Sequence, residues 1–211
     1  MSATVIREKN QLKQLIRLLD ETDKLEFPVC VEYRDRPDFA LFNRKRSIGL
    51  EVSTFTDEET HRGAALADRL FPKAWITLTG LRDRNPPRRS DEILDTMSNL
   101  ELPWPLCAEE AQHTVKKIFE SIRRKNRNLC SSGFNKFPEN WLLLADEQNF
   151  FRDVVGEPTI QHHLERSLCG TSVMETEFDR IYIFHGLCCY RVERGKLAVK
   201  SCKDVQSRFG D

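Results

Sequence analysis

The sequence predicts an α/β protein in which a mixed β-sheet is flanked by helices on both faces. Three observations predict it. Short apolar runs of strand length alternate with longer segments whose apolar residues recur at helical spacing. Three strand-like runs follow one another directly near the amino end, whereas later ones are separated by helices, a pattern that calls for both antiparallel and parallel pairing. One run, Trp141–Ala145, is apolar throughout, as a strand covered on both faces is.

The elements follow in order. Residues 6–20 predict a helix, with Leu12, Leu15, Ile16 and Leu19 on one face and Lys13, Gln14 and Arg17 on the other. After Pro28, Val29–Tyr33 is a strand candidate. Phe39–Phe42 and Ile48–Val52 read as two more strands, joined by a polar, basic turn at Asn43–Arg46. Thr56 offers a cap for the next helix, with Glu59 at the reciprocal position and acids in the first turn; this helix is expected to end before Pro72. Ala74–Leu78 is β-like, and Ser90 can open a short helix. Residues 108–127 predict the strongest helix, with Ala111, Val115, Ile118, Phe119 and Ile122 along one face. Trp141–Ala145 is then a buried strand, 159–168 a helix, and Phe178–Phe184 and Leu187–Val192 a final strand pair around His185-Gly186. The tail beyond Gly195 can add a little more strand.

At 211 residues the chain is expected to form a single domain, with 39% hydrophobic and 31% charged residues in the ordinary globular range. Lys and Arg number 33, as do Asp and Glu, so any nucleic-acid footprint must be local rather than global. The opening residues hold no apolar signal core and no run of about 18 apolar residues occurs, so a cytoplasmic protein without a membrane partner is expected. The seven cysteines include no Cys-x-x-Cys pair, which favours free thiols over disulfides or structural zinc. Gly-x-Gly-x-x-Gly, the P-loop and Gly-x-Ser-x-Gly are all absent.

The chemistry concentrates in the hairpin of residues 36–55. If its turn is centred near Arg44–Lys45, Asp38 falls opposite Glu51 or Val52. Alternation puts Gly49, Glu51 and Ser53 on one face and Leu50 and Val52 on the other. Opposite Glu51, Asp38 would bring two carboxylates about 5 Å apart at Cβ, a destabilising pair unless a cation lies between them. Mg²⁺ is a hard ion that favours such oxygens.

Pro37-Asp38, twelve intervening residues and Glu51-Val52-Ser53 closing an apolar strand resemble the PD-(D/E)XK nuclease superfamily, the restriction-endonuclease-like fold. The order helix, three-stranded meander, helix, strand also matches that superfamily's αβββαβ core. The resemblance covers about residues 6–78, with 79–211 as carboxy-terminal elaboration. It implies that Asp38 and Glu51 hold Mg²⁺ or Mn²⁺, that the Val52 carbonyl is a further ligand, and that the protein hydrolyses phosphodiester bonds, with DNA ahead of RNA. It also implies a catalytic position at residue 53, where the family usually carries Lys and this chain carries Ser53. Lys45 is about 20 Å along the strand from Glu51 and cannot substitute; Arg62 or His61 on the following helix are the alternatives. The first-helix acid that some members add could be Glu8, Glu21 or Glu26, with Glu32 on the neighbouring strand a comparable choice. The alternative to an active enzyme is a catalytically inactive member that binds nucleic acid or a protein partner; a homodimer is also compatible, since a duplex has two strands.

Lys116, Lys117, Arg123, Arg124 and Arg127 crowd the polar side of the 108–127 helix and form the best candidate nucleic-acid patch, because Lys and Arg contacts to phosphates supply most non-specific affinity. The Arg82–Arg89 loop is a second basic patch. His162-His163 reads as a surface pair, and Cys188-Cys189 as one inward and one outward thiol.

Overall fold

The computed structural model describes residues 3–22, 26, 28–71, 81–98, 107–146, 157–170, 176–185, 188–193 and 196–201. Among the described residues five helices and seven strands follow in the order α1 (Ala3–Thr22), β1 (Cys30–Tyr33), β2 (Phe39–Phe42), β3 (Ser47–Thr54), α2 (Glu58–Leu70), α3 (Ser90–Ser98), α4 (Cys107–Leu129), β4 (Glu139–Ala145), α5 (Glu157–Gly170), β5 (Arg180–His185), β6 (Cys188–Glu193) and β7 (Lys196–Ser201). The strands form one sheet whose spatial order is the chain order. Its centre, β3-β4-β5, is parallel, and the β1-β2-β3 and β5-β6-β7 flanks are antiparallel. The expected strand at Ala74–Leu78 lies outside the described residues; the strand that pairs in parallel with β3 is β4.

Each face of the sheet has its own core. Leu12, Leu15 and Leu19 of α1 pack on Phe39, Leu41, Ile48, Leu50, Val52, Trp141 and Leu143. On the opposite face Val115, Ile118 and Ile122 of α4 and Ile160, Leu164 and Leu168 of α5 cover Leu142, Leu144, Ile181 and Ile183. β4 therefore alternates between two cores, which is why it carries no polar face. Cys188 and Cys189 also divide between the two cores and are both buried, so neither thiol is outward as the sequence suggested. Among the described residues no helix is long and apolar enough to cross a membrane.

The hairpin turn is held by one side chain. Asn43 Oδ1 accepts hydrogen bonds from the Lys45 and Arg46 backbone amides at 3.0 and 2.7 Å, and Asn43 N donates to Arg46 O at 3.1 Å. This Asx-type closure fixes the pairing Phe42↔Ser47, Leu41↔Ile48, Ala40↔Gly49 and Phe39↔Leu50. The start of α2 departs from expectation. Its N-cap is Asp57, not Thr56, and the Asp57 side chain makes no cap bond. Both polar groups are recruited by other elements: Thr56 Oγ1 donates to Asp146 Oδ1 at 3.1 Å, and Glu59, meant to close the box, pairs with Arg88.

Candidate functional site

Continuing the β2–β3 register by one step sets Asp38 opposite Glu51. β3 turns Leu50 and Val52 to the α1 core, so Glu51 and Ser53 face α4. Asp38 stands just before β2 begins, and its Oδ2 accepts from the Val52 amide at 2.7 Å, closing the last rung of the ladder with a side chain. Glu51 is only 6% exposed. Its Oε1 accepts from Lys125 Nζ of α4 at 2.7 Å, while Oε2 is buried with no hydrogen-bond partner. Burial first, and then the charge of Glu51, push the Asp38 carboxyl up to about 7; the Val52 amide and Lys125 pull the other way and are outweighed. Two carboxylates thus share one poorly solvated corner.

The Glu8 charge also acts upward on Asp38. Of Glu8, Glu26 and Glu32, candidates for a third acid at the site, Glu8 is the one whose charge acts on Asp38. Glu26 pairs with Lys45 at the turn and Glu32 with Arg34 on the exposed edge strand, and the Glu21 side chain lies outside the described residues.

The floor beside the pair is built from a close contact. Asn140 holds the Phe137 backbone at both ends, accepting from Phe137 N at 3.0 Å and donating to Phe137 O at 2.8 Å. The Phe137 ring then lies on Gly49, two residues from Glu51 on the same face. A Cβ at Gly49 would stand 2.8 Å from Phe137 Cδ2 and 3.0 Å from Pro37 Cγ, so only glycine allows the approach.

α4 lays a polar stripe along β3, beside its apolar one. His113 Nε2 lies 2.6 Å from Asp57 Oδ2, and Lys117 Nζ lies 2.7 Å from Asp57 Oδ1 and 2.8 Å from Asp83 Oδ2. One turn on, Ser121 Oγ donates to Thr54 O at 3.4 Å; then Arg124 Nη2 donates to Ser53 Oγ at 3.1 Å, and Lys125 reaches Glu51. Burial opposes the Lys117 ammonium, but its bonds to Asp57 and Asp83 outweigh this and raise its pKa.

The candidate nucleic-acid residues therefore separate. Lys117 is half-buried between two aspartates, so its charge is paired within the fold. Lys116 is exposed, 3.9 Å from Glu120. Arg123, Arg124 and Arg127 are exposed, and among the described residues no carboxylate lies within ion-pair distance of them. The Arg82–Arg89 loop is tied down at Arg88, whose guanidinium is shared between Glu59 and the Arg82 carbonyl. The His162 and His163 rings meet edge to face, with centroids 5.7 Å apart.

Lys125 is the residue the sequence reading missed. Its signal was present: it falls three residues after Ile122 and four before Leu129, on the line of the buried stripe. A lysine on an apolar line needs a buried acid. The ammonium that meets Glu51 comes from α4.

Among the described residues no three His, Cys, Asp or Glu side chains converge as a ready metal cluster. The donor set at Asp38 and Glu51 nonetheless suits a hard cation: two carboxylates that repel each other, one of them with a buried oxygen lacking any donor. Comparisons with family models, curated proteins and solved structures find no match to the chain.

Proposed function

We propose that the protein is a metal-dependent nuclease acting on DNA ahead of RNA, with Asp38 and Glu51 as the metal-holding carboxylates. The observation that carries this reading is their juxtaposition across the β2–β3 register with the Lys125 ammonium delivered between α4 and β3. Position 53 lacks the lysine of the PD-(D/E)XK pattern, and Lys125 supplies a cation to the same corner from a different element. Mg²⁺ or Mn²⁺ held by Asp38, Glu51 and the Val52 carbonyl would activate a water and stabilise charge on the scissile phosphate. Lys125 fixes the Glu51 carboxylate and offsets its charge. Asp38, raised to about 7, keeps part of its proton near neutral pH and would release it to solvent when a cation enters.

Nicking of supercoiled plasmid in Mg²⁺ or Mn²⁺ tests the reading. Wild type is expected to nick, Glu51→Gln and Asp38→Asn to fall to background, and Lys125→Met to lose roughly 10–100-fold, as outer partners of metal ligands do. Equal nicking by wild type and Glu51→Gln would place the activity elsewhere. A second reading draws on the Lys125–Glu51 pair itself: because Glu51 is already neutralised, the corner is self-sufficient without a metal, and the fold would bind nucleic acid or a protein without cutting. Absence of nicking with both metals on duplex, single-stranded DNA and RNA would select it.

A further inference from the structure

We propose that Arg124 is the residue that grips the nucleic-acid backbone beside the Asp38–Glu51 corner, and that Ser53 is a positioning residue acting through it. This deepens the nuclease reading and rests on it for the identity of the anion. Three observations converge. Arg124 is exposed yet its guanidinium is held at one point, with Nη2 donating to Ser53 Oγ at 3.1 Å. Ser53 lies two residues from Glu51 on the same face of β3, so the anchored guanidinium is set next to the carboxylate pair. Arg124 has no carboxylate partner among the described residues, whereas the adjacent Lys125 is consumed by Glu51 and Lys117 by Asp57 and Asp83.

The chemistry follows from the donor count. A guanidinium carries five N–H donors in a planar fork that matches phosphate oxygens, and one contact to a hydroxyl leaves most of the fork free. A hydroxyl anchor costs none of the positive charge, unlike a carboxylate. It also lowers the entropy lost when the long side chain is immobilised on a ligand. A serine at position 53 is thus a gain for this arrangement: a lysine there would have no lone pair to accept from Arg124 and would add a like charge beside it. Arg123 and Arg127 extend the same unpaired basic surface along α4.

Fluorescence anisotropy with a fluorescein-labelled 20-base-pair DNA duplex in EDTA, across a salt series, tests the proposal without requiring catalysis. Arg124→Ala is expected to weaken binding about 10-fold or more and to reduce the slope of log K against log salt by about 1, the signature of one lost phosphate contact. Arg124→Lys keeps the charge and is expected to restore the slope but only part of the affinity. Ser53→Ala should weaken binding about 3-fold with an unchanged slope, since no charge is lost, and Ser53→Thr should restore it. In nicking kinetics, Ser53→Ala should raise KM more than it lowers kcat. An Arg124→Ala protein with wild-type affinity and slope overturns the proposal, as does Ser53→Ala altering the slope like a charge deletion. Duplex binding that depends on Arg124 without any nicking would sink the nuclease reading and leave the grip standing. Nicking that requires Glu51 but is indifferent to Arg124 would do the reverse. A wild type that binds neither the duplex nor RNA of the same length overturns both.

Discussion

At the scale of single residues, the Asp38–Glu51–Lys125 corner sets opposing demands on charge. Lys125 is 17% exposed and Glu51 7% by side chain, so neither is solvated well enough to stand alone. Lys125→Met should destabilise by about 3 kcal/mol in urea melts, because it strands a buried carboxylate, and adding Glu51→Gln should recover most of that loss. Asp38 acts in the opposite direction on stability. Its folded pKa of about 7 lies above the ordinary 3.8, so the folded protein binds the extra proton between those values. Stability from this group is therefore full below about 4 and falls as pH rises to about 7. Asp38→Asn, which can still accept from the Val52 amide, should flatten the melting temperature over this window and raise it at pH 8. Gly49→Ala should cost about 1–3 kcal/mol by forcing Phe137 off its seat.

At the scale of elements, α4 ties the start of α2 to β3. The His113 and Lys117 end is held to Asp57, and the Arg124 and Lys125 end to Ser53 and Glu51. Asp57→Ala removes the acceptor for two cationic or polar groups at once and should cost about 3 kcal/mol, with hydrogen exchange faster in the first half of α4 than in β3. The elements themselves were legible in the sequence wherever periodicity was strong. The α4 apolar stripe, β2 at Phe39–Phe42 and the Trp141–Ala145 part of β4 read directly because side-chain patterning there answers to one core or two. The register was legible to within one residue, with Asp38 opposite Glu51 or Val52, because the turn is polar and centred between two apolar runs; the pairing Phe39↔Leu50 selects Glu51. What the sequence hid was long-range pairing of polar groups. Thr56 has the composition of a cap, but Asp146, ninety residues away, is a better partner once β4 is in place. Lys125 stands on the line of the buried stripe and Lys117 does not, but neither position names its acid, and only the packing of α4 decides which one each lysine meets.

At the scale of the whole molecule, the two cores leave the Asp38–Glu51 corner on the flank of a rigid sheet, where the antiparallel meander joins the parallel centre. A cation that binds the folded corner and not the unfolded chain stabilises by mass action, about 2.7 kcal/mol at one hundred times its Kd. Titrating Mg²⁺ or Mn²⁺ at pH 8 should therefore raise the melting temperature of wild type and leave Glu51→Gln unmoved. An equal rise in both would place the ion elsewhere. This readout is independent of any cleavage assay.

The Asn43 turn makes the corner a matter of parity. Every substitution discussed above perturbs the site by degrees, but a slip of the β2–β3 pairing by one residue would not. It would set Asp38 against Val52, send Glu51 to the opposite side of the sheet and drive the Leu50–Val52 face out of its core. The carboxylate pair thus exists in one phase of the hairpin and is wholly lost in the other. A single side-chain amide accepting two backbone hydrogens selects between them, roughly five residue rises from the nearer acid.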